Sequence, residues 1–237
     1  MRNTRKSLGW LLWGCTALLA AKVFVSLLTE YRWYFPPDFD SSLFLAGRQA
    51  GFRGVYPVAF FCHIIVGPVT LILATLLAIR TRFKNARLHR LLGRAQFIVV
   101  LGLLLPSGLV MATQAHAGVL AGLGLAGLAL ATAVAMLAAA RHAWLRQFKL
   151  HQRWATRCLI LLFSPLLLRV MIGATVILKL EANHLEALIA WLSWIVPLAI
   201  YELSLVLPMQ GLTLTAEEPT VRRSGEQRFY RSRSTTT

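Results

Sequence analysis

Histidine is the residue type in this chain best placed to do chemistry, with six copies set against only nine Asp and Glu. His89 and His151 share a setting, Leu88-His-Arg-Leu-Leu-Gly-Arg94 and Leu150-His-Gln-Arg-Trp-Ala-Thr-Arg157, each ahead of a long apolar run. Two imidazoles at one depth on parallel helices can approach a metal from opposite sides. Haem iron accepts imidazole as an axial ligand, and arginines beside it can pair with the propionates, so haem b is the cofactor this pattern suits. The plainer reading makes both histidines interfacial residues of solvated basic loops, and His142 belongs there.

The remaining candidates divide by depth. His63 lies within an apolar run, where an unpartnered polar ring is costly, so it is either hydrogen-bonded to a neighbouring helix or functional. His116, in Gln114-Ala-His-Ala-Gly118, belongs to a tight turn and is a second partner to consider for His63, although the two differ in depth. His184 sits beside Glu181 and Glu186 and reads as solvated. Arg169 and Glu202 are charges inside apolar runs, expected either to form a structural ion pair or to line a polar path. Cys15, Cys62 and Cys158 stand in apolar stretches without Cys-x-x-Cys spacing and read as small buried hydrophobes. No Walker loop, His-Glu-x-x-His, Gly-x-Ser-x-Gly or Cys-x-x-Cys-His motif occurs.

The elements that must position these residues are membrane helices. Of the 237 residues 57% are hydrophobic and 14% charged, which lacks the polar coat of a soluble enzyme. A bilayer core needs about 20 apolar residues of helix. Six stretches qualify, at 8–29, 55–79, 93–114, 117–140, 156–179 and 186–208. They are continuous rather than alternating, so the expected fold is an all-α polytopic bundle of six transmembrane helices. The first resembles a signal peptide, but no small-residue cleavage pattern closes it, and it reads as an uncleaved span.

The net charge of +16 reflects topology, because the basic residues cluster between spans instead of coating a surface for nucleic acid. Nineteen Lys and Arg fall on one side and four (Arg32, Arg48, Arg53, Lys179) on the other. The positive-inside rule then puts both termini in the cytoplasm. Residues 1–7 form a short cytoplasmic start, 8–208 the membrane domain, and 209–237 a basic, disordered tail. One external loop has substance, 30–54, whose aromatics suit the bilayer interface and whose Pro36-Pro37 pair breaks any helix. Gly118 and Gly122 form a Gly-x-x-x-Gly pair that permits close packing, including helix-mediated oligomers. The Gly-x-Gly-x-x-Gly match at Gly122, Gly124 and Gly127 lies in an apolar helix with no preceding strand and is no dinucleotide site.

Taken in order, Tyr34-Phe-Pro-Pro-Asp38, Phe60-Phe-Cys-His-Ile64 with Gly67-Pro68, Arg87-Leu-His-Arg-Leu-Leu-Gly-Arg94, Ser107-Gly-Leu-Val-Met-Ala112, His151-Gln-Arg-Trp-Ala-Thr-Arg157 and Leu168-Arg169 resemble a bacterial membrane family known as domain of unknown function 2306. The similarity spans most of 30–207, with Leu198 standing where the family pattern has Asn. The resemblance implies the architecture and no activity. A looser similarity runs to two-haem transmembrane b-type cytochromes, whose histidines pair across alternate helices. It implies His63 with His116 and His89 with His151.

Three functions follow as expectations. The first is a b-type haem protein, a membrane oxidoreductase exchanging electrons with a quinone or another redox partner. The second is a non-catalytic membrane component that binds a protein partner. The third is a small transporter or channel using Arg169 and Glu202.

Overall fold

The computed structural model describes residues 22, 25, 26, 28–42, 44–80, 86–179 and 183–207. Five helices in this part are long and apolar enough to cross a membrane. We name them α1 (Tyr56–Arg80), α2 (Ala86–Ala112), α3 (Gly118–Trp144), α4 (Phe148–Ile177) and α5 (Asn183–Val206). Among the described residues there is no strand, only an isolated bridge between Tyr34 and Pro37. Of the expected first span, residues 22, 25, 26, 28 and 29 are helical; its other residues, Cys15 and the tail lie outside the described residues.

Two helices start well before their apolar runs, α2 at Ala86 rather than 93 and α4 at Phe148 rather than 156. Hydropathy marks only the stretch that must avoid water. Helical hydrogen bonding continues past it wherever flanking residues such as Leu88, Arg90 and Arg153 favour helix. Those extra turns carry His89 and His151, so both histidines stand on helix rather than in loops.

Within α2 the residues Val100–Leu104 take a π-helical turn. Its cause lies two residues on, since Pro106 has no N–H to return to the preceding turn. Next to it, Ser107 Oγ donates toward Leu103 O at 2.6 Å and Leu104 O at 3.1 Å.

Short connections make neighbouring helices antiparallel. One end of the bundle carries residues 30–54 and the α2–α3 turn, here the loop end; the opposite, basic end carries the α1–α2 and α3–α4 connections. Helices α3, α4 and α5 pack closely together, α1 pairs with α2, and the second half of α2 joins the pair to α3. Small residues permit this. A Cβ on Gly124 would stand 3.0 Å from the Trp191 ring, and one on Gly127 would stand 3.3 Å from Trp194. Trp191 Nε1 also donates to Leu120 O at 3.1 Å. Gly122 closes on the Ala112 carbonyl at the end of α2, so this half of the Gly-x-x-x-Gly pair is used inside the chain.

The loop aromatics turn inward more than the interfacial expectation allowed. Tyr34, Leu45, Tyr56 and Phe60 are buried, with Phe39, Phe44, Phe52 and Phe61 around them. Phe60 meets Tyr34 edge-on at 5.2 Å and lies stacked with Phe44 at 5.6 Å. Such contacts add to burial and give the loop a core of its own. Arg48 ties it down, donating to Gln114 O at 3.2 Å while its guanidinium lies 4.2 Å from the Phe44 ring centroid. Phe35, before the cis Phe35–Pro36 bond, remains exposed.

Candidate functional site

His89 and His151 are each the fourth residue of their helix, so α2 and α4, both rising from the basic end, hold them level. Their ring centroids are 6.3 Å apart, with the planes at 88°. The two helices do not pack along each other; the rings meet across the space between them. His151 Nδ1 lies 2.8 Å from Ala139 O on α3. A carbonyl can only accept, so Nδ1 carries the proton and the Nε2 lone pair is free. Arg90, Arg94 and Arg153 are exposed nearby in the chain. One turn beyond His89, a Cβ placed on Gly93 would meet nothing within 4 Å.

His63 stands on α1 near the loop end, with Nδ1 3.2 Å from Ser107 Oγ. The single hydroxyl proton of Ser107 is directed at the π-turn carbonyls, so the imidazole is the donor and Nε2 again keeps its lone pair. Gly108 makes room, since a Cβ there would lie 3.3 Å from His63 Cε1. His116 is exposed in the α2–α3 turn and makes no ring contact with His63. Among the described residues the contact between His89 and His151 is the one histidine-to-histidine ring contact. The alternate-helix pairing of His63 with His116 is therefore not formed, because the chain turns before His116 and leaves it at the surface.

The expected pairing of Arg169 with Glu202 is corrected too. Glu202 accepts a two-pronged ion pair from Arg157, at 2.5 Å from Nε and 2.8 Å from Nη2. Arg157 lies over the Trp154 ring at 4.5 Å. The reason is height. Arg157 lies twelve residues, about 18 Å, nearer the basic end of α4 than Arg169, level with the end of α5 that bears Glu202.

Arg169 instead donates from Nη1 to Pro165 O of its own helix at 3.2 Å. It comes within electrostatic reach of His63 on α1 and of Tyr31 and Tyr34 in the loop. Tyr31 donates its hydroxyl to Ile64 O, closing the loop onto α1. Burial pushes Tyr34 up to about 12, with Glu30 adding to the rise and Arg169 opposing it; Tyr31 is raised by burial in the same way. His142 stands in the last turn of α3, half-buried, and meets Gln147 Oε1 at 2.7 Å, so it is on helix and not in a solvated loop; His184 is exposed, in line with its solvated reading.

Sequence reasoning missed Ser107, the Ala139 carbonyl and the approach of Arg169 to the loop tyrosines. Ser107 had a signal, a hydroxyl between Pro106 and Gly108 in an otherwise apolar helix. A backbone carbonyl has none, because every residue supplies one.

Among the described residues no group of three or more His, Cys, Asp or Glu could hold a metal ion. In the comparisons, a family model described as predicted membrane protein (DUF2306) matches residues 60–205. No curated protein and no solved structure matches the chain.

Proposed function

The chain belongs to the DUF2306 family of predicted membrane proteins, and for this member we propose a b-type haem protein that carries electrons within the bacterial cytoplasmic membrane. In this reading His89 and His151 would hold the haem iron at the cytoplasmic end. The chain crosses the bilayer six times with both termini inside, as the excess of Lys and Arg at the basic end favours.

The observation that carries the reading is the relation of the two rings. An iron held by two imidazole nitrogens at about 2 Å each spaces the ring centroids roughly 6 Å apart, near the 6.3 Å observed. His151 has its second nitrogen held by a carbonyl, the arrangement that orients a ligating imidazole and raises its basicity. Two imidazoles suit haem, whose macrocycle supplies the other four donors.

Bound there, haem b supplies a one-electron couple. The chain's share would be to hold the two imidazoles close together, to fix the His151 tautomer through Ala139, and to offer Arg90, Arg94 and Arg153 to the propionates. A quinone or protein donor would complete the transfer. A polar path through Arg169 and Glu202 loses support, since Glu202 is engaged with Arg157.

The test is a reduced-minus-oxidised spectrum with pyridine haemochrome quantification on protein from haem-replete cells. About one haem per chain, lost in His151→Ala, is the expected result. A folded, monodisperse, colourless protein overturns the reading.

A further inference from the structure

A second set of polar groups lies far from the histidine pair and has no part in the haem reading. Arg169 is eight residues before the end of α4, about 12 Å below the loop end, and His63 is seven residues into α1, about 10 Å below it. Two helices pointing in opposite directions thus bring a guanidinium and an imidazole to one level. Tyr31 of the loop donates its hydroxyl to Ile64 O, next to His63 in the chain, and Tyr31 and Tyr34 both come within electrostatic reach of Arg169.

Among the described residues the charge of Arg169 has no ion-pair partner; Glu30, near Tyr34, accepts from Ser42 Oγ at 3.2 Å instead. A guanidinium has five N–H donors, and the described hydrogen bonds of Arg169 use one atom, Nη1. No described carboxylate pairs with it; the one described ion pair is Arg157 with Glu202. Residues 1–29 contain no Asp or Glu, so the N-terminal segment brings no carboxylate wherever it packs. The Arg169 side chain keeps open surface among the described residues, although it stands about 12 Å below the loop end. A cation at this depth is costly until an anion or water reaches it. The remaining N–H groups of Arg169 suit an oxyanion as donors.

We propose that Arg169, with His63 beside it and Tyr31 and Tyr34 above, binds the oxyanion head group, carboxylate or phosphate, of a ligand at the loop end of the bundle. The source is either an anionic lipid or a small anion entering beneath the loop. The planar fork of arginine binds either one through two parallel hydrogen bonds.

The experiment uses the full chain in neutral detergent. Native mass spectrometry counts retained phosphatidylglycerol against phosphatidylcholine, and thermal shift is read with inorganic phosphate and with acetate. The expected result is one retained phosphatidylglycerol per chain, or a thermal shift with phosphate or acetate. Binding should fall at least tenfold in Arg169→Gln, fall several-fold in Arg169→Lys, and be unchanged in Lys179→Gln, which removes a charge at the same end. Phosphatidylglycerol retained without response to free anions assigns a lipid; the reverse assigns a soluble anion. Wild-type protein that binds none of these probes overturns the proposal. So does an Arg169→Lys protein, which keeps the charge and the fold, that binds with wild-type affinity together with any folded Arg169→Gln. No redox signal enters this test, so it stands or fails apart from the haem reading.

Discussion

His151 donates its Nδ1 hydrogen to the backbone carbonyl of Ala139, 2.8 Å away on the preceding helix. That bond joins α4 to α3 just inside their connecting turn and leaves the ring's other nitrogen turned to its own uses. His89, 6.3 Å away centroid to centroid, is the group it meets. The proposed haem site follows from this relationship, and so does its first prediction. His89→Met should keep haem, with the methionine sulfur replacing imidazole, and should raise the midpoint potential, because methionine favours the reduced iron. Redox titration of the purified variant checks it; an unchanged potential with haem retained would remove His89 from the ligand set.

Ser107 holds His63 in one tautomer. In Ser107→Ala the ring should lose its fixed partner and the protein about 1 to 3 kcal/mol of stability, as expected when a buried donor goes unsatisfied. Nitrogen-15 spectra of labelled histidine should show a mixture of tautomers at His63 where the wild type shows one. A single tautomer in both would mean that Ser107 does not set it.

The glycines of α3 and α4 should part company. Gly124→Ala drives a methyl against the Trp191 ring and the Ala190 backbone, and should cost about 1 to 3 kcal/mol with a red shift in tryptophan emission. Gly173→Ala on α4 meets nothing within 4 Å and should be neutral or stabilising by up to about 1 kcal/mol. Thermal unfolding of the two variants side by side is the check.

The ion pair between Arg157 and Glu202 is half open, with side-chain exposures of 18% and 43%, so its worth is modest despite good geometry. Glu202→Gln and Arg157→Gln should each lower stability by about 1 kcal/mol, and the double variant by less than the sum. Strict additivity in that cycle would show that the two charges are not coupled.

The loop should respond to pH at both extremes. Backbone N–H groups of Ser41 and Asp40 donate to Asp38 and hold its carboxyl below the usual range. A lowered folded pKa gives stability that is present above the unfolded value, near about 4, and lost as pH falls through the folded one. Tyr34 has the opposite sign: raised to about 12, it stabilises the loop below the unfolded value of about 10, and that contribution is lost as pH rises through 12. Hydrogen exchange across 30–54 should therefore speed up in acid and in alkali. Asp38→Ala should remove the acid limb, and Tyr34→Phe should weaken the alkaline one, to which Tyr31 also contributes.

Much of the architecture was legible in the sequence, because a bilayer demands long apolar runs and hydrogen-bonded backbone, and both can be counted along a chain. The all-helical fold and five of the expected spans follow from that demand. The shared depth of His89 and His151 was also legible, since both precede an apolar run by the same kind of basic turn. Which polar groups meet was not, because partnership depends on helix rotation and on neighbours distant in the chain. Tertiary packing paired Glu202 with Arg157 and left Arg169 to approach His63 and the loop tyrosines. It also gave His63 to Ser107, through a π turn that Pro106 explains only once the helix is seen. Apolar length is a local property of the chain. The matching of single charges and rings is decided by heights and faces that exist only when the helices are assembled.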